Sequence, residues 1–162
     1  MFSVGEKVVY GENGVCTVEK IAPLDSAGAD PSKLYYHLTP YIGSGTYYNP
    51  VESGGFMRPV ISRAEAEAVI SAIPEIEPAI CEDKRSNHIS TFYRDVFRLH
   101  TPEAMVSIIK GLSKKVAESK SFGTRAEADI RRAKNILYGE LSIALEMTVQ
   151  EVESYIKERT GS

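Results

Sequence analysis

Apolar residues recur with two different periods along this chain. Up to Val60 they come in short alternating runs separated by turn-forming residues, at 4–10, 15–21, 34–39, 46–51 and 56–60. Alternation of this length predicts five half-buried strands. Gly11-Glu12-Asn13-Gly14 divides the first two runs, and Asn13-Gly14 predicts a tight hairpin turn because both residues tolerate positive φ. Gly43-Ser44-Gly45 and Ser53-Gly54-Gly55 mark later turns. Five short strands at this spacing predict a small, strongly bent antiparallel sheet or barrel of the SH3 or Tudor kind.

After Val60 the period becomes 3.6, predicting helices at about 62–73, 87–99, 102–120, 125–146 and 149–159. Ser62 with Glu65, Thr124 with Glu127 and Thr148 with Glu151 match the capping box, in which hydroxyl and carboxylate satisfy each other's backbone donors. Thr101 followed by Pro102 adds a fourth start signal. Ser121-Phe122-Gly123 separates the third and fourth helices. The fold class is therefore α+β: a small β-barrel over residues 1–60 followed by an all-α bundle of about five helices over 61–162.

Inner stripes are legible within the helices. Ile89, Phe92, Tyr93, Val96 and Phe97 form one; Met105, Ile108, Ile109, Leu112 and Val116 form a second. Ile130, Ala133, Leu137, Leu141 and Ala144 form a third, with Ile136 and Ile143 on another side, which places the fourth helix at the centre of the bundle.

Charge sharpens this picture. The chain is acidic, at −3 over 162 residues, yet residues 84–134 carry twelve Lys and Arg against five Asp and Glu, a local +7 that leaves −10 for the remainder. Arg94 and Arg98 fall outside the stripe of the second helix, and Lys110 and Lys114 fall nearly opposite that of the third. Arg125, Arg131, Arg132 and Lys134 crowd the first turns of the fourth, where they oppose the helix dipole by a few tenths of a kcal/mol each. An ordinary solvated face explains one such helix; three in succession point to a polyanion or an acidic protein as partner.

Little else in the chain suggests chemistry. With 43% apolar and 25% charged residues it is a globular composition, and no stretch resembles a signal peptide or membrane span, so a cytoplasmic location is expected. Cys16 and Cys81 stand apart, without metal or disulfide spacing, and read as small apolar residues. His37, His88 and His100 show no ligand spacing, and Glu75 and Glu77 sit in a loop flanked by Pro74 and Pro78. No nucleophile or phosphate-binding motif is present, so no catalytic residue, metal or cofactor is assigned.

Residues 1–10, then Gly14-Val15 and Val18-Glu19-Lys20-Ile21, resemble the opening of the CarD/CdnL family of bacterial transcription regulators, and Ala133-Lys134-Asn135-Ile136-Leu137-Tyr138-Gly139-Glu140-Leu141 resembles that family's late-helix segment. The resemblance implies a non-enzymatic protein whose N-terminal Tudor-like domain, shared with the transcription-repair coupling factor, docks on the RNA polymerase β subunit. Its helical domain would touch promoter DNA at the upstream edge of the −10 element and modulate the open complex. The polymerase contact would map to Thr46, Tyr47, Tyr48, Asn49 and Pro50. A basic family residue near Tyr48 is absent here, so edge-strand pairing or aromatic contacts would replace it; alternation alone would instead turn one tyrosine inward and the other to water.

Many relatives carry a tryptophan wedge at the start of the second helix. This chain has no Trp, and His88 or Ile89 stands at that place. Arg94, after Tyr93, matches a basic family position. The expected DNA-contacting set is Arg85, His88, Ile89, Arg94, Arg98, Lys110, Lys114, Arg125, Arg131 and Arg132. Binding to DNA alone would be weak and directed to phosphates, with no membrane partner and a monomeric chain. The alternative is a polymerase-binding adaptor whose basic helices meet an acidic protein.

Overall fold

A computed structural model describes residues 1–119 and 123–161. They form two compact units, Met1–Val60 and Ile61–Ser162. The first is a five-stranded antiparallel sheet and the second is built from five α-helices, the α+β class expected from the two periods.

The strands are β1 (Lys7–Tyr10), β2 (Val15–Ala22), β3 (Tyr35–Pro40), β4 (Tyr47–Pro50) and β5 (Met57–Pro59), in the spatial order β4-β3-β2-β1-β5. The ladders are antiparallel, with a register shift in β2 between Val18 and Lys20 that bends the sheet. The bend brings the two outer strands close. Asn49 of β4 donates from Nδ2 to Gly55 O (3.1 Å) and to Met57 Sδ (3.0 Å), and accepts from Gly55 N–H (2.7 Å). The ring of Tyr10 on β1 lies 5.8 Å from that of Tyr47 on β4, with β3 and β2 between them in the ladder. A side chain therefore spans the seam of the curled sheet. Val8, Cys16, Val18, Tyr36 and Leu38 fill its interior.

Two local expectations for this unit are corrected. The strands are shorter at most ends, β1 beginning at Lys7 rather than Val4. Asn13-Gly14 does not make a two-residue hairpin: Val9 pairs with Val15, Gly11–Asn13 forms a 3-10 turn, and Gly11 and Gly14 take the positive φ (49° and 78°) while Asn13 does not. A longer turn lets two glycines carry the left-handed backbone that Asn-Gly would have shared.

In the second unit α1 (Arg63–Ala72) is followed by α2 (Ser86–Phe97), α3 (Pro102–Glu118), α4 (Gly123–Leu145) and α5 (Val149–Thr160). Capping boxes form at Ser62–Glu65 and Thr148–Glu151, and Thr101 caps α3 through Ala104 N–H. The Thr124–Glu127 box is not formed at this place, because α4 already includes Gly123 and Thr124 lies inside it; the cap position, like the expected break at Ser121 and Phe122, lies outside the described residues. Ala133, Leu137 and Leu141 of α4 are almost fully buried and pack in one core with Tyr93, Phe97, Met105, Ile108, Leu112 and Val152. Glu140 is buried beside them, and its Oε2 accepts the Ile61 N–H (3.0 Å), tying the start of this unit to α4.

The segment between α1 and α2 packs down as a strap. Ala79 donates to Ser107 O (2.9 Å) and accepts from the Tyr93 hydroxyl (2.8 Å). A Cβ on Gly111 would stand 1.9 Å from Ala79 O, so α3 needs glycine where the strap crosses it. Burial, then the neighbouring Cys81, pushes the Tyr93 phenol up to about 12.

A candidate protein-docking edge and a candidate nucleic-acid face

In the first unit β4 ends the sheet, and its ladder parity says which backbone groups are free. Val51 N–H bonds to Leu34 O (3.0 Å), so residues 47, 49 and 51 turn their backbone polar groups toward β3. Thr46 and Tyr48 turn theirs away. Pro50 has no N–H to offer, and its carbonyl is crowded by Gly54, where a Cβ would sit 2.1 Å away. The open edge is therefore short and centred on Tyr48.

The side chains sort differently from the alternation expected. Tyr47 and Tyr48 are both exposed, 37% and 51%, instead of one inward and one outward. Tyr47 leans on Tyr10 at the seam, and Tyr48 stands edge-on to His37 with ring centroids 5.0 Å apart. His37 is buried and its Nε2 bonds to Ala22 O (3.0 Å), which holds the imidazole under Tyr48. Asn49 is the inward residue, and its amide is committed to the seam, so it supports the edge and offers no side chain to a partner. Thr46 is exposed just before the strand.

In the second unit Ser86, Ile89, Ser90 and Tyr93 of α2 face Arg125, Ala126 and Asp129 of α4 across a groove of about 270 Å³, with Leu112 of α3 at its base. Ser86, Ser90, Arg94 and Arg98 make one i+4 row along α2. Arg125 and Arg132, seven residues apart, share one side of α4, and the Arg132 guanidinium lies 3.9 Å from the centroid of the buried Phe97 ring. Of the four arginines Arg94, Arg98, Arg125 and Arg132, Arg125 lines the groove itself, Arg94 and Arg98 continue the row of Ser86 and Ser90, and Arg132 lies over Phe97. All four are exposed, and among the described residues no carboxylate pairs with Arg94, Arg98 or Arg125.

The other expected residues lie apart from this row. Lys110 was expected outward; instead its ammonium donates to Ile73 O (2.8 Å) and Ile76 O (2.6 Å), closing the carbonyl end of α1. Lys114 is exposed, about 200° around α3 from the groove residue Leu112. Arg131 is exposed but turned about 100° from Arg132 on α4. Ile89 is half-buried in the core and groove.

Arg85 and His88 are both tied to Asp83. The Arg85 guanidinium and N–H donate to that carboxylate at 2.7–3.1 Å, and His88 Nδ1 lies 2.6 Å from it. The Arg85 side chain, then its N–H, then His88 hold the Asp83 carboxyl well below the usual carboxylate range. Because the folded value is lowered, this contribution to stability is complete above the ordinary carboxylate pKa and fades as pH falls below it. Asp83 is not among the residues the sequence singled out, although an acid that accepts from the backbone N–H two residues on, just before a helix, is a familiar local signal. Among the described residues no group of three or more His, Cys, Asp or Glu is placed to hold a metal, and no helix is long and apolar enough to cross a membrane.

A curled five-stranded sheet with a short open edge is thus followed in the chain by a helical unit with exposed arginines on α2 and α4. Residues 2–61, the β unit, match the model of the CarD-like/TRCF RID domain. That domain is a non-enzymatic, RNA polymerase β-interacting one. No curated protein matches the chain.

Proposed function

We propose that this protein is a transcription regulator of the bacterial cytoplasm that docks on the polymerase β subunit through the free edge of β4. As a monomer it reaches promoter DNA near the upstream edge of the −10 element with the basic face of α2 and α4, and modulates the stability of the open complex. The observation that carries the DNA half of this reading is the run of exposed arginines on α2 and α4: Arg125 lines the groove, the row of Ser86 and Ser90 continues to Arg94 and Arg98, and Arg132 lies over the ring of Phe97. The guanidiniums of Arg94, Arg98 and Arg125, which no carboxylate pairs among the described residues, suit phosphate contacts, which position a protein without reading sequence. Arg132, held over the Phe97 ring, gives up less side-chain freedom on binding than an unsupported arginine would.

The deciding experiment measures the lifetime of promoter open complexes formed by the cognate polymerase, with wild-type protein and with Arg94→Ala/Arg98→Ala. The variant is expected to retain its melting temperature and lose most of the wild-type effect. An unchanged effect with an intact fold would refute the DNA half.

A further inference from the structure

The β unit exposes an apolar surface that the edge strand alone does not use. Eight of the nine exposed large hydrophobic residues described lie in residues 1–60, and four of these, Tyr41, Ile42, Tyr47 and Tyr48, fall in one uninterrupted exposed run at 41–48. The helical unit contributes only Leu99 among the described residues. No Lys, Arg, Asp or Glu occurs between Lys33 and Glu52. An aromatic, uncharged surface beside a free backbone edge is the composition of the centre of a protein interface and not of a phosphate contact.

The loop carrying Tyr41 and Ile42 is shaped by its backbone. Gly43 and Gly45 take φ of +111° and +93°, and a Cβ at either would meet nothing within 4 Å, so backbone conformation and not crowding calls for glycine there. Tyr41 N–H bonds to Val15 O (2.9 Å), which fixes the start of the loop to β2. His37 lies opposite Tyr48 in the β3–β4 ladder, and Tyr41 follows directly on the end of β3, 42% exposed, with Ile42 at 37% next to it.

We infer that Tyr41 and Ile42 form a second, apolar anchor of the polymerase-docking surface, seating in a nonpolar recess of the β subunit next to the strand that pairs with β4. This rests on the docking reading above and extends it from backbone pairing to a side-chain contact. Large side chains in a central recess carry a disproportionate share of binding energy.

The test is the dissociation constant of the full-length chain for purified core polymerase, measured for wild type, Tyr41→Ser/Ile42→Ser and Tyr41→Phe/Ile42→Leu, each with a thermal melt. The serine pair is expected to weaken binding at least tenfold and the conservative pair less than threefold. Wild-type-like binding by the serine pair overturns the anchor while leaving edge docking intact. Absence of binding by the wild type overturns the docking reading and the anchor together. If the serine pair lowers the melting temperature, Ile42→Gln alone replaces it, with the same criterion of tenfold loss.

Discussion

Lys110 illustrates how a residue's charge and its job can part company. On a helical wheel it belongs to the outer basic surface, but a four-carbon stem reaches the end of α1 and its ammonium is consumed by the carbonyls of Ile73 and Ile76. Lys110→Met is therefore expected to lower stability by about 1.5–3 kcal/mol, the usual range for hydrogen bonds to a charged group, in a denaturant titration. Its DNA affinity should stay at the wild-type level once the fold is saturated; a loss equal to that of Arg94→Ala would return Lys110 to the binding face. Asn49 is the parallel case on the sheet, a residue expected at the partner surface whose amide instead closes the seam through Gly55 and Met57. Nothing within either residue's own segment foretells this, because the carbonyls they serve come from other parts of the chain.

Elements were more legible than contacts. The capping boxes at Ser62 and Thr148 stand where hydroxyl and carboxylate spacing placed them, since such a box involves residues only three apart. The Asn13-Gly14 turn failed for the opposite reason: the register of β1 on β2, with Val9 opposite Val15, left five residues to span, and the glycines on either side of Asn13 took over. The parity of β4 likewise depends on which of its residues face β3. It yields a sharp expectation at the scale of the strand. Tyr48→Pro removes an outward N–H and no ladder bond, so melting should change little, while binding to core polymerase should fall at least tenfold through loss of edge pairing. Full retention of binding would exclude backbone pairing at β4.

At the scale of the whole molecule, an acidic protein carries a basic face of few charges. With four arginines contributing, the logarithm of DNA affinity should fall with the logarithm of salt concentration with a slope of roughly −3 to −4, and Arg94→Ala/Arg98→Ala should make it shallower by about two. Measured by fluorescence anisotropy on a short duplex, a slope near zero would point to a partner other than DNA. So few phosphate contacts give weak binding alone, and attachment to polymerase would raise the local concentration enough for the face to act.

By itself the sequence determined the α+β class, the order of strands and helices, the inner stripes and the concentration of positive charge after residue 84, because each follows from period, composition or spacing within one segment. Only the tertiary structure decided which charges remain available. The end of α1 takes Lys110, and the groove between α2 and α4 brings Arg125 opposite Ser86 and Ser90, the start of the row that continues to Arg94 and Arg98. It likewise decided that both Tyr47 and Tyr48 stay exposed: Tyr47 shares the inner face with Asn49 but ends up at the seam against Tyr10. A local pattern tells which way a side chain leaves its own helix or strand; what it meets there is set by segments far away in the chain.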